Sequence, residues 1–235
     1  MQVGVISDVH GNRVALAAVL ADMPPVDALL CAGDVVGYNP WPADCVDALR
    51  GEAGDADWLE RYPAPLASGV PTVMGNHDRA VGTGSGFSFN SMAGAGVRHA
   101  KEHLSDDHLD WLRRLPAERT ELDGRVKVVH GHPDDPDRYA YPRLFSPALL
   151  GDEDVLVMGH THVQGHETYD EGIVMNPGSV GQPRDRDPEA AYALLDLDTM
   201  TVDERRVPYD IERVVKAVRE ADLPEQVGTR LRKGR

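Results

Sequence analysis

Five short polar segments punctuate this chain, and each begins where an apolar run stops. They are Asp8-Val9-His10-Gly11-Asn12, Gly33-Asp34-Val35-Val36-Gly37, Gly75-Asn76-His77-Asp78, His130-Gly131-His132 and Gly159-His160-Thr161-His162. The runs before them, Gln2–Ser7, Asp27–Ala32, Val70–Met74, Val126–Val129 and Val155–Met158, read as buried strands. In an open α/β sheet the carboxyl ends of the strands collect along one edge, which is where ligands bind. Side chains as distant in sequence as Asp8 and His162 can therefore meet there. The glycines let the chain turn sharply off each strand and bring its backbone close to a ligand.

The stretches between these strands support the same class. Asn12 can cap a helix over Arg13–Met23, which Pro24-Pro25 stops. Pro42–Arg50 and Asp55–Arg61 are predicted helices, so the chain opens as βαβαβ with parallel strands. Val81–Phe89 is rich in Gly and Ser and reads as a loop near a site, followed by helices over Ser91–His103 and Ser105–Leu115. The second half adds strands at Arg119–Leu122, Gly165–Tyr169, Ile173–Met175, Ala191–Asp196 and Thr201–Arg206, and the short spacing of these and of Val126–Val129 and Val155–Met158 predicts antiparallel hairpins. Helices over Asp210–Ala221 and Pro224–Arg232 follow. With no repeat and no long linker, residues 1–235 are expected to form a single domain.

The residue types in the five segments carry chemistry. Asp, His and Asn give a mixed nitrogen and oxygen donor set without thiolate, suited to Mn, Fe, Co, Ni or Zn. D-x-H and H-x-H place two side chains on the same side of an extended segment, so each pair can grip one ion. Each motif alone is weak, since Gly-Asp is a common turn and a lone D-x-H is often a polar strand end. Five in order, each after a strand, point to a site for two metal ions in which one carboxylate bridges.

The ordered set D-x-H, GD-x-x-G, GNHD, H-G-x-P and GHTH resembles the calcineurin-like metallophosphoesterases, and Asn176-Pro-Gly-Ser-Val-Gly-Gln-Pro-Arg184 resembles their compact microbial phosphodiesterase branch. The resemblance covers nearly the whole chain. It implies an α/β fold, a four-layer αββα sandwich of two mixed β-sheets flanked by helices, with the C-terminal helices of 209–235 packed on it. It also implies that Asp8, His10 and His162 hold one divalent ion, that Asn76, His130 and His160 hold the other, and that Asp34 bridges them. A hydroxide between the ions would be the nucleophile, with manganese the first expectation among the metals. His77 would face the phosphoryl group and donate a proton or hydrogen bond to the leaving oxygen. One departure stands out. Protein phosphatases of the family carry an acidic residue and an arginine three and four positions after the bridging aspartate, where this chain has Gly37-Tyr38. Arg184, Asn12 and Arg79 are the candidate substrate contacts in their stead. The expected activity is hydrolysis of small phosphodiesters, with monoesters, nucleotides and dinucleoside polyphosphates next. The rival is a metal-binding scaffold of the same fold without chemistry, although His77 and every ligand position are filled.

Composition narrows the partners. Acidic residues number 39 against 24 basic, a net charge of −15, with 26 Asp to 13 Glu and 20 Arg to 4 Lys. Such a surface suits a concentrated-salt cytoplasm, and it disfavours long nucleic acid, which needs a basic stripe. No apolar run approaches the ~18 residues of a membrane span, and no basic, apolar leader opens the chain. A cytoplasmic protein is expected, with a small phosphoester as its partner; nothing in the sequence fixes an oligomeric state. Cys31 reads as a core residue and, with no CxxC, neither it nor Cys45 suggests a metal or disulfide framework. His99, His103, His108 and His132 read as solvated, and His166 as outside the site. Tyr38 and Trp41 either stack on a nucleoside or pack a loop. Arg113-Arg114 and the basic run Arg230–Arg235 read as solvated faces.

Overall fold

Apolar runs of four to seven residues alternating with amphipathic stretches produce two sheets. The computed structural model describes residues 1–53, 56–59, 64–84 and 90–235. In chain order they form β1 (Gln2–Ile6), α1 (Arg13–Asp22), β2 (Ala28–Cys31), α2 (Pro42–Arg50), α3 (Ala64–Ala67), α4 (Asn76–Thr83), α5 (Ser91–His103) and α6 (Asp106–Arg114). Then come β3 (Glu118–Glu121), β4 (Val126–Val129), β5 (Val155–Val157), β6 (Gly165–Thr168), β7 (Ile173–Asn176), β8 (Ala190–Asp196), β9 (Thr201–Val207), α7 (Ile211–Glu220) and α8 (Glu225–Thr229).

One sheet has the order β2-β1-β8-β9 and the other β3-β4-β5-β7-β6. Both are mixed. β1 runs parallel to β2 and antiparallel to β8, while β4, β5 and β7 run parallel with an antiparallel strand on each edge. Val3 and Val5 of β1, Leu30 of β2, Val126 and Val128 of β4, Val155 and Val157 of β5 and Ile173 of β7 meet in the core between the sheets. Each such side chain contributes roughly 1.5–3 kcal/mol on burial. The alternate residues Ile6, Leu29 and Cys31 face the helices, where Leu16, Leu20, Val46 and Leu49 pack on them. That period of two is why one strand can serve two layers. The fold is thus α/β, two mixed sheets flanked by helices. The outer face of the second sheet is covered more thinly, by Phe145 and the 3-10 turns Pro142–Leu144 and Pro147–Leu149. Among the described residues no helix is long and apolar enough to cross a membrane.

Several elements differ from the sequence expectation. Val70–Met74 contributes one parallel bridge, Thr72 to Cys31, instead of a strand, because Pro71 has no N–H to donate. In the second half β3–β4, β6–β7 and β8–β9 are the expected antiparallel hairpins. But β4 and β5, joined by the connection of 130–154 without an α-helix, pair parallel, as do β5 and β7. Residues 56–59 form a turn where a helix over Asp55–Arg61 was expected, the rest of that stretch lying outside the described residues. Val81–Thr83 complete α4 and are not loop, and 85–89 lie outside the described residues. The C-terminal helices pack through Val214, Val218, Val227 and Leu231 against Tyr38 and α5.

Candidate metal centre

Four of the five polar segments leave the carboxyl ends of β1, β2, β4 and β5, the fifth follows the Thr72 bridge beside β2, and backbone hydrogen bonds lock neighbouring segments together. Asp8 N–H donates to Gly33 O, His10 N–H to Asp34 O, and Gly159 N–H to His130 O, at 2.8–2.9 Å. The turns are tight enough that Asp8, His10, Asp34, His160 and His162 all adopt left-handed backbone, with φ between 51 and 66°. Such residues cost about 1–3 kcal/mol each and collect where function fixes the backbone. Gly75 serves the same crowding, since a Cβ there would lie 2.0 Å from Oδ1 of Asp34.

Each carboxylate anchors one oxygen and presents the other. Asp8 Oδ2 accepts from Ser7 Oγ (2.7 Å) and His160 N–H (3.1 Å), while Oδ1 lies 3.2 Å from His162 Nε2 and 3.7 Å from His10 Nε2. Asp34 Oδ1 accepts from His77 N–H at 2.8 Å. Its Oδ2 stands 3.3 Å from His130 Nε2 and 3.7 Å from His10 Nε2. The imidazoles are oriented in the same manner. Nδ1–H of His10, His130 and His162 donates to the backbone carbonyls of Val36, Ala32 and Gln182, at 3.1, 2.8 and 2.6 Å. This fixes the tautomer and turns three Nε2 atoms inward, as partners behind metal-ligating histidines do. His160 is reversed: its Nε2–H donates to Asp137 O at 3.3 Å, which leaves Nδ1 as its ligand atom.

The arrangement puts acceptors against acceptors. His10 Nε2 faces His162 Nε2 at 3.1 Å, and His130 Nε2 faces Asn76 Oδ1 at 3.2 Å. Asp8 Oδ1 is fully buried and accepts no hydrogen bond of good geometry. In the metal-free site a proton on His130 Nε2 can serve the second pair, but among the described residues no protein group satisfies the His10–His162 pair or Asp8 Oδ1, so the residues fit divalent ions. Two groups of donors are close enough: Asp8, His10, Asp34 and His162 form one, and Asp34, His130 and His160 the other. Asp34 belongs to both.

Without metal, charges inside the site are strongly coupled. Burial works to raise the carboxyls of Asp8 and Asp34, but the imidazoles around them, His162 for Asp8 and His130 for Asp34, hold both well below the usual range. Burial would lower His130; Asp34 outweighs it and pushes it up to about 10. Burial lowers His160 to about 4 and His162 to about 3, keeping both neutral as ligands must be.

His77 is 4% exposed and opens into the same cavity as the ligands. Its pKa lies well below the ordinary value, chiefly through burial. Its ring is wedged between His10 (centroids 4.8 Å apart) and Tyr38 (4.7 Å), and its Nδ1 lies against Gly37. Asp78 fixes the start of α4, its carboxylate accepting from the N–H groups of Gly75 and Val36 at 3.1 Å. Burial, then the charge of Asp34, pushes Asp78 up to about 7.

The cavity has a volume of about 360 Å³, and Arg184 and Arg230 line it with Asn76, His77 and His160. Arg184 donates to the Tyr38 hydroxyl at 3.0 Å and to Gln182 Oε1 at 2.8 Å. Of the other candidate contacts, Asn12 is fully buried and its amide is committed, Oδ1 to Ala15 N–H as the cap of α1 and Nδ2 to Gly181 O. Arg79 pairs with Asp137 at 2.5 Å on the rim. Tyr38 is 4% exposed and packs the loop, while Trp41 lies under Arg13. Several lining residues escaped the sequence reading, Arg230 and Tyr139 among them. Arg230 sat in what looked like a solvated basic run, and Tyr139 stacks on the His160 ring at 4.1 Å. His99 is buried with a bond to Pro40 O, and His108 pairs with Asp47, so neither is simply solvated.

A family model for the calcineurin-like phosphoesterase superfamily domain matches residues 1–200. An uncharacterised protein of Methanocaldococcus jannaschii is 32% identical over 257 residues, covering 99% of this chain and 98% of that one. A metallophosphoesterase from Sphaerobacter thermophilus superposes with a TM-score of 0.81 at 34% identity, over 100% of this chain and 99% of that one. Shorter matches reach a symmetrical bis(5′-nucleosyl)-tetraphosphatase of Pectobacterium carotovorum (30% identical, over 56% of this chain and 43% of that protein). They also reach phosphodiesterase YfcE of Escherichia coli (40% identical, over 33% of this chain and 38% of that protein).

Proposed function

The chain belongs to the calcineurin-like phosphoesterase superfamily, and we propose that within it the protein hydrolyses small phosphodiesters at a pair of divalent metal ions. The observation that carries this reading is the sharing of Asp34 by two donor groups that open, together with His77, into one cavity. The names of relatives, a phosphodiesterase and a dinucleoside tetraphosphatase, support the same reaction class.

In this reading Asp8, His10 and His162 hold one ion, Asn76, His130 and His160 the other, and Asp34 both. When bound, the ion pair supplies a water of lowered pKa as nucleophile and neutralises charge on the phosphoryl oxygens. Asp8 and Asp34 are the only charged ligands, so two divalent ions leave an excess of about +2 for an anionic substrate despite the acidic surface. The mixed imidazole, amide and carboxylate donor set suits Mn, Fe, Co, Ni or Zn, and manganese is the first expectation from the family.

His77 contributes through its ring nitrogens. Nδ1 is buried against Gly37, which leaves Nε2 for the substrate. The N–H of the neutral ring donates a hydrogen bond to the leaving oxygen as charge develops there. Gly37 stands in the place of the missing acidic orienter, so the ring is held by packing against Tyr38, while Arg184 lines the same cavity. The preponderance of Asp over Glu and of Arg over Lys supports a high-salt cytoplasm.

The test is a panel of bis-p-nitrophenyl phosphate and p-nitrophenyl phosphate assayed with Mn, Co, Ni, Zn and Mg in dilute and concentrated KCl. The expected result is diester turnover, highest with Mn and retained in concentrated salt. Failure on both esters with every metal overturns the reading and favours a metal-binding scaffold.

A further inference from the structure

Three of the four candidate ligand histidines are oriented from inside the protein. The carbonyls that accept from Nδ1–H of His10, His130 and His162 belong to Val36, Ala32 and Gln182, all fully buried. His160 is the exception. Its ring is held from the surface, by the chain that leaves β4 at His130 and comes back over the centre. Asp137 O accepts from its Nε2–H at 3.3 Å. Tyr139, 46% exposed, lies flat on the ring, with centroids 4.1 Å apart and planes 7° from parallel.

This loop folds back on its own root. His132 N–H donates to Arg138 O, Asp135 N–H to His132 O and Arg138 N–H to Asp135 O, at 3.0–3.1 Å. Gly131 permits the close return, since a Cβ there would lie 2.3 Å from Pro136 O. The Asp137 carboxylate pairs with Arg79 of α4. Arg79 stands three residues after Asn76, a spacing that puts both on one side of the helix. Tyr141, 5.8 Å from the Tyr139 ring, and Arg143 above Tyr141 continue the stack away from the centre.

The donors that the loop reaches all belong to one group. His130 is its root, His160 lies beneath it, and Asn76 is carried by the helix that Asp137 ties down. Among the described residues, Asp8, His10 and His162 take their hydrogen bonds from elsewhere: from Ser7, His160 N–H, Val36 and Gln182.

We propose that residues 131–139 are a clamp for one metal position alone, that of Asn76, His130 and His160, with Tyr139 and Asp137 as its positioning residues. This rests on reading the site as a metal pair. Partners behind a metal-bound histidine fix its ring, and losing one costs about 10–100-fold in metal affinity. For one ion these partners are in the core; for the other they are on an exposed loop. A bound cation also draws electron density from the imidazole, which strengthens its attraction to the negative face of Tyr139. Loosening the loop should therefore release one ion and leave the other.

The experiment is calorimetric titration of the metal-free protein with Mn. Asn76→Ala removes a donor of the clamped position and so marks which binding step belongs to it. Tyr139→Ala should weaken that step about tenfold or more and leave the other within about twofold. Asp137→Ala should weaken the same step, while Tyr139→Phe, which keeps the ring, should bind both ions as wild type does. Equal weakening of both steps, an unchanged marked step, or a loss in Tyr139→Phe as large as in Tyr139→Ala overturns the clamp. Turnover of bis-p-nitrophenyl phosphate at saturating Mn would in that case leave the phosphoesterase reading intact. Selective loss of the marked step in a protein that hydrolyses neither this diester nor p-nitrophenyl phosphate upholds the clamp and sinks that reading. A wild-type chain that binds one ion overturns both.

Discussion

Adding one methyl group at Gly37 should disable the site while leaving its metal ligands in place. A Cβ on this residue would fall 2.4 Å from Nδ1 of His77 and 3.0 Å from its Cγ, where ordinary carbon contacts begin near ~3.5 Å. The ring must therefore retreat by about 1 Å. It has nowhere to go, because Tyr38 stands 4.7 Å away on one side and His10 4.8 Å away on another, centroid to centroid. The backbone cannot yield cheaply either: Gly37 has φ +100, a conformation closed to L side chains, so alanine costs on the order of 1–3 kcal/mol of stability. A misplacement of about 1 Å in a reacting group can cost ~100-fold in rate. For Gly37→Ala the expected outcome is two metal ions per chain by elemental analysis, a lowered unfolding midpoint, and a kcat on bis-p-nitrophenyl phosphate reduced about 100-fold. A variant with full metal content and near wild-type kcat would refute the role of His77 and the packing argument behind it.

Other consequences follow from the same geometry. Asp34→Asn removes the carboxylate common to both donor groups, so elemental analysis should give one ion per chain or fewer, with loss of activity; two ions and full turnover would contradict bridging. Binding metal must expel the proton that Asp34 holds on His130, whose pKa stands at about 10 in the metal-free site. Calorimetric titration of Mn near neutral pH, in buffers of different ionisation enthalpy, should therefore report release of about one proton per chain. His99 is kept neutral, first by burial, and its folded pKa lies below the unfolded value. The unfolded chain thus binds more protons as pH falls below about 6.5, and stability present above that pH is lost toward the folded pKa. His99→Gln should flatten the acid side of the denaturant-midpoint curve, and an identical slope would show that His99 carries none of it.

Much of the candidate centre's geometry was legible because most of its donor residues sit immediately after strands, where sequence order and spatial edge coincide. Asp8, Asp34, His130 and His160 could be placed on one edge from apolar runs alone. The division of labour within each carboxylate could not, because it depends on single backbone donors such as His160 N–H and His77 N–H arriving from other loops. The antiparallel hairpins of the second half were legible from their short loops, but the parallel pairing of β4 with β5 was not: the crossover of 130–154 uses 3-10 turns and irregular chain, so no helical period marks it. Arg230 was invisible as a cavity residue since a basic run looks the same whether solvated or folded back. Its place is set by Leu231 and Val227 packing near Tyr38, almost 200 positions away. Asn12 shows the reverse error, a polar residue next to a ligand motif whose amide is consumed in capping a helix.

The account turns on two ions acting as one centre, and a single titration tests it. Protein freed of metal is given Mn in known equivalents, and hydrolysis of bis-p-nitrophenyl phosphate is followed alongside bound metal. The expected curve shows little activity at one equivalent and a plateau at two. A plateau reached at one equivalent, or two bound ions with no hydrolysis, would contradict it.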